Sequence, residues 1–243
     1  MEKKHLTQVI DKYHLNGLVE SVTWKSTEDV GFSVDFITQT KDCAGSVKTT
    51  KDLGLGTNNI SIYSTSQFNK ILTVMDSFIT VEVVKGSQNI PYQLTVKDND
   101  FDLTYYLSSE DLIPNSPKIN EPESYDVEFT IDEDFIKNFT KAHSALDKPN
   151  YFTIECKIDK EEKYVELCVG DSASYANKIK LRQNASFEWG IEKLPFSSNV
   201  FKEILSVNKN ATGKAQINEQ GLLKILFTED DTISQYFLVR LAE

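Results

Sequence analysis

Two spacings of apolar residues divide the chain into helical and extended stretches. Leu6, Val9, Ile10 and Tyr13 recur at i, i+3, i+4 and i+7, which predicts a helix over residues 6–15 closed by Asn16-Gly17. Alternation follows in Leu18–Trp24 and in Phe32–Thr38, where Phe32, Val34 and Phe36 share a face. Asp42–Asn59, with Gly45, Gly54 and Gly56, shows no firm pattern. Ile60–Tyr63 then leads into a predicted helix over 66–78, followed by strands at Ile79–Val84, Tyr92–Lys97 and Phe101–Leu107, with Asp98-Asn99-Asp100 as a tight turn. Three of the six prolines fall within residues 108–124, which predicts an extended connector.

Beyond the connector the order resumes. Tyr125–Ile131 alternates as a strand, and Asp132 is placed to cap a helix over 132–146. Strands are expected at Tyr151–Ile158, Tyr164–Val169, Ile179–Gln183 and Phe187–Leu194, then a helix over 198–208. Strands at Lys214–Ile217, Leu222–Phe227 and Gln235–Leu241 finish the chain.

The two halves repeat one another. Phe68-Asn69-Lys70-Ile71-Leu72-Thr73-Val74 returns as Phe201-Lys202-Glu203-Ile204-Leu205-Ser206-Val207, each preceded by a small-polar cluster and followed by strands. Glu229-Asp230-Asp231 stands where Asp98-Asn99-Asp100 stood, and Tyr236-Phe237-Leu238 matches Tyr105-Tyr106-Leu107. A length of 243 residues suits two domains of about 120. The expectation is an α+β fold with an internal duplication: a first domain over 1–110, a connector over 111–124 and a second domain over 125–243.

Composition narrows the function. No run approaches the roughly 18–20 apolar residues of a membrane span, so no membrane role is expected. Met1-Glu-Lys-Lys-His has no apolar core behind it, so no secretion signal is expected. Cys43, Cys156 and Cys168 are odd in number and scattered, as reduced thiols of a cytoplasmic protein would be. The net charge of −11 argues against a surface that is basic all round, but it leaves room for one local basic face. The helices offer that face. Phe135, Phe139, Ala142 and Leu146 fall within about 60° of one another, and Lys137, Lys141, Ser144 and Lys148 lie opposite. Lys70 lies across from Phe68, Ile71, Leu72 and Met75. His5, Gln8 and Lys12 lie away from the first stripe, with Lys3 and Lys4 just before it. In the fourth helix Lys202 and Lys209 flank the apolar face, and Glu203 is expected on the far side. Surface helices often carry lysine for solvation alone. A basic helical face on an acidic chain would also neutralise phosphates without reading bases.

Local signatures of catalysis are missing. Gly54-Leu55-Gly56-Thr57 has no phosphate-loop lysine and opens no helix. His5, His14 and His143 stand apart from one another and from the cysteines, so no zinc site and no cofactor is expected. The acidic turns Asp98–Asp102 and Glu229–Asp231 lack the glycine and closing glutamate of a calcium loop. No G-x-S-x-G occurs. A binding role is expected over an enzyme. Two alternatives stay open: a phage structural or adaptor protein assembling through its sheets, and a hydrolase using scattered carboxylates.

The duplication, the four lysine-bearing helices, the proline-containing connector and the acidic total together resemble a DNA sliding clamp, the processivity factor of DNA polymerases. The likeness is to the two-domain clamps of T-even-like bacteriophages, related in fold to proliferating-cell nuclear antigen. It covers nearly the whole chain as an element order and is best in segments 66–107 and 198–241. The resemblance implies a homotrimeric ring with sheets outside and helices lining the hole, and a non-catalytic part in DNA replication. It implies that Lys3, Lys4, Lys12, Lys70, Lys137, Lys141, Lys202 and Lys209 face duplex DNA through its phosphates. It also implies a cleft for a polymerase C-terminal peptide at Leu112, Ile113, Pro114, Leu238, Leu241 and Ala242. Loading by a separate ATP-driven clamp loader would follow, in the host cell cytoplasm if the source is viral.

Overall fold

A computed structural model describes residues 1–27, 31–170 and 177–242. The elements in order are α1 (Lys3–His14), β1 (Val22–Thr27), β2 (Gly31–Ile37), β3 (Cys43–Thr49), β4 (Asn58–Ile62), α2 (Thr65–Leu72), β5 (Thr80–Lys85), β6 (Pro91–Lys97) and β7 (Asp102–Tyr106). Then come β8 (Val127–Ile131), α3 (Glu133–Ser144), β9 (Tyr151–Asp159), β10 (Glu162–Gly170), β11 (Lys178–Phe187), β12 (Leu194–Ser197), α4 (Ser198–Val207), β13 (Gly213–Ile217), β14 (Leu222–Glu229) and β15 (Thr232–Val239). The four expected helices and the antiparallel sheets are present, an α+β fold. The chain divides into two compact units: residues 1–39, 45–117 and 230–234 form the first, and 40–44, 118–229 and 235–243 the second.

In the first unit β4-β1-β2-β3 form one antiparallel run and β5-β6-β7 a separate three-stranded sheet. Trp24 of β1 anchors the core. Its ring meets Phe68 of α2 edge-on at 5.6 Å, and Phe68 meets Tyr105 of β7 at 4.9 Å. Trp24 Nε1 donates to the Tyr13 hydroxyl at 3.1 Å, and that hydroxyl is 3.3 Å from Thr65 Oγ1, so both helices are pinned to the sheet by one buried polar chain. Helix α2 is shorter than expected because its last turn breaks after Leu72 into successive i+3 turns at Thr73, Val74 and Met75.

The second unit runs β12-β9-β10-β11-β8-β13-β14-β15. Here β8 is a stitching strand: Phe129 faces both Ala185 of β11 and Ala215 of β13. In the first unit the corresponding place before α1 is held by Glu2, in an isolated bridge to Phe78. Leu53 and Leu55, buried, fill the core beside β5, with Gly54 between them at φ +68° against the Val81 carbonyl. Asp132 caps α3, accepting from Phe135 N at 2.8 Å. Phe139, Phe152 and Phe201 form the aromatic centre, with centroids 4.6–5.2 Å apart. The strand expected at Phe187–Leu194 is instead the end of β11, a loop and the start of β12.

Candidate nucleic-acid interface and partner cleft

Each unit presents a pair of packed helices. Asn69 Nδ2 of α2 reaches Asp11 Oδ1 of α1 at 3.5 Å, and Phe139 of α3 meets Phe201 of α4. The four helices carry seven lysines against four acids, within a chain whose formal charge is −11. The helices are therefore the basic part of an acidic molecule.

The expected lysines differ in their settings. Lys4, Lys70, Lys137, Lys141 and Lys209 are exposed. Lys3 is half-buried, its ammonium donating to the Met75 carbonyl. Lys12, expected on the outward face, is 3% exposed. Glu203, expected on the far side of α4, is 6% exposed, and Lys202 Nζ donates to its Oε1 at 2.6 Å. This pair forms because adjacent residues on α4 turn one carboxylate inward and leave the lysine stem to follow it. His143 of α3 is close to the same pair: burial first, then Lys202, lower its pKa below 6.5, and its Nε2 is buried without a hydrogen-bond partner.

At the junction of α1 and α2, Glu20 acts as a clip. Its Oε2 accepts from Ser66 N at 3.0 Å, its Oε1 from the Ser66 hydroxyl, and its carbonyl from Thr65 N and Oγ1 at 2.9 and 2.8 Å. His14 Nε2 is 3.0 Å from Ser66 Oγ and 3.4 Å from Glu20 Oε1. A catalytic triad places its acid and its nucleophile on opposite ring nitrogens. Here both meet Nε2, so the cluster is a helix-terminus tie with no general-base relay.

The residues expected to form a cleft fall in both units. In the second unit Leu241 and Ala242 line a cleft of about 820 Å³ with Ile191, Leu194, Pro195 and Arg240. Leu241 N donates to Pro195 O and Arg240 N to Gly221 O, each at 2.9 Å, which fixes Arg240 and Leu241 along the cleft wall. Leu238 is core. In the first unit Leu112 lines a groove of about 460 Å³ with Tyr63, Ile71, Tyr106 and Leu107, Ile113 is buried and Pro114 is exposed. The residues of 190–194 were missed in sequence because they fall within a stretch assigned to a strand. Among the described residues no group of three His, Cys, Asp or Glu side chains is arranged to hold a metal ion, and no helix is long and apolar enough to cross a membrane.

Two units that each pair helices with antiparallel sheet define the fold of the DNA sliding clamps, and solved structures bear this out. The chain aligns over its full length with the proliferating cellular nuclear antigen of Entamoeba histolytica, at a TM-score of 0.75 and 16% identity, covering 97% of that chain. It aligns equally fully with the A. fulgidus PCNA of a complex described as the C-terminal region of FEN-1 bound to that protein, at a TM-score of 0.73 and 15% identity, again covering 97%. No family model and no curated protein matches the sequence.

Proposed function

We propose that the protein is a sliding clamp that encircles duplex DNA and tethers a replicative DNA polymerase, without catalysis of its own. The observation that carries this reading is the inversion of charge on the helices of an acidic chain with the clamp fold. Lys4, Lys70, Lys137 and Lys141, exposed on those helices, and Lys209, exposed just beyond α4, would meet phosphates loosely enough to slide. Lys3 and Lys202 would contribute from the rim of their own hydrogen bonds, and Lys12 would act only from beneath.

The ring would be a head-to-tail homotrimer. Two free sheet edges support it. The outer edge of β7 has no strand beside it among the described residues, nor does the edge of β11 over Lys178–Asn184 that faces away from β10. Unpaired edges of this kind join copies of a chain unless something blunts them. The cleft at Leu241 and Ala242 would take a polymerase C-terminal peptide, as a clamp of the same fold is described with a bound C-terminal region. A separate ATP-driven loader would open the ring, in the cytoplasm of the host cell if the protein is of the bacteriophage type. Sedimentation equilibrium at low salt tests the ring: a species near three times 27.6 kDa is expected. A mass fixed at one subunit at all concentrations would overturn it.

A further inference from the structure

The loop between β11 and β12 carries Trp189, which is 82% exposed, while the only other tryptophan, Trp24, is fully buried. An indole left in water marks a contact surface more often than other exposed apolar groups, because tryptophan concentrates binding energy at interfaces. The base of the loop is fixed. Lys163 Nζ donates to Phe187 O at 2.5 Å and lies 5.2 Å from the Phe187 ring centroid, and Cys156 N donates to Ile191 O at 3.4 Å. A Cβ on Gly190 would stand 3.0 Å from Cys156 Cβ, so glycine lets the loop pass close over β9. Trp189 thus directly precedes Gly190, the first residue of the cleft lining.

Charges of both signs surround it in the loop and the cleft lining. Glu188 precedes the tryptophan and Glu192 follows within the cleft wall, both exposed. Lys193, Glu219 and Arg240 line the remainder. An exposed aromatic face attracts a cation through the ring quadrupole, and Glu188 and Glu192, which flank it in sequence, add Coulomb attraction. We propose that Trp189 is a stacking platform for a lysine or arginine side chain of the partner segment whose apolar residues enter the cleft. This rests on the reading that the cleft takes a partner's tail, and it adds which tails are preferred.

The test titrates the full chain with Ac-Lys-Phe-Leu-Phe-NH2 and with Ac-Gln-Phe-Leu-Phe-NH2. Binding is followed by tryptophan fluorescence, which reports Trp189 because Trp24 is enclosed, and by the amide NMR signals of Leu241 and Ala242. The lysine peptide is expected to half-saturate at about a threefold lower concentration. That advantage is expected to vanish in Trp189→Ala and in Glu192→Gln, followed by NMR, while both peptides still move the Leu241 signal. Equal half-saturation of the two peptides on the unaltered chain would overturn the platform and leave the cleft reading standing. No movement of Leu241 or Ala242 with either peptide would overturn both.

Discussion

Tyr106 and Phe237 hold the same place in the two halves of the chain, yet Tyr106 is 72% exposed and Phe237 is 7% exposed. The neighbours of their strands differ as well. In the second unit residues 40–44 run alongside β15, with Val239 N donating to Asp42 O at 3.1 Å. Beside β7 no such segment lies among the described residues. The duplication thus supplies its own control: one copy shows the last strand covered, the other shows it open.

If a second molecule covers β7 in the ring, a charge at Tyr106 must hinder closure. Tyr106→Asp is expected to raise the concentration at which trimers form at least tenfold, read by sedimentation equilibrium. The monomer's thermal unfolding should be unchanged, since the side chain is exposed.

Removal of helix charge should change how binding depends on salt. Lys137→Gln with Lys141→Gln is expected to weaken association with duplex DNA alike for all sequences. The slope of log affinity against log salt should fall by about 0.9 for each phosphate that the ring no longer neutralises. An unchanged slope would place these lysines away from the duplex.

The aromatic centre of the second unit should dominate its stability. Phe139 is fully buried against Phe152 and Phe201, so Phe139→Ala is expected to cost about 3–5 kcal/mol, measured by urea unfolding.

Glu20 gives the first unit a dependence on acid. Burial alone would raise its pKa, but the Ser66 hydroxyl and amide and His14 outweigh burial and hold it below the ordinary 4.5. The unfolded chain therefore takes up the proton first. The stabilisation is complete above about pH 4.5 and is lost as pH falls through the folded-state value. Glu20→Gln is expected to lower Tm at neutral pH and to flatten the fall of Tm in acid.

The helices were legible because each buries one stripe, and Phe68 and Phe201 repeat in place. Strand β3 was not, because Cys43, Ala44 and Gly45 are buried in succession and leave no alternation to read. Lys12 and Glu203 were misplaced for a related reason: helical angle alone does not say where a neighbouring element will cover a side chain. The cleft residues at Leu241 and Ala242 could be named from the likeness to clamps, but Trp189 could not. Its exposure depends on a loop held by Phe187 and Ile191, an arrangement with no local pattern in sequence.

The stitching strand β8 has a mechanical consequence. In the second unit a continuous hydrogen-bonded ladder carries any pull from β12 across to β15. In the first unit β5-β6-β7 is a panel joined to its neighbours by side-chain packing and by single bonds such as Ser108 N to Ser61 O, and the stretch leading into it meets the chain ahead of α1 at the Glu2–Phe78 bridge and through Met1, whose N donates to Ile79 O at 2.7 Å. Under load this panel is the hinge leaf of the first unit: it can tilt as a plate by breaking single bonds, whereas the second unit must shear a ladder.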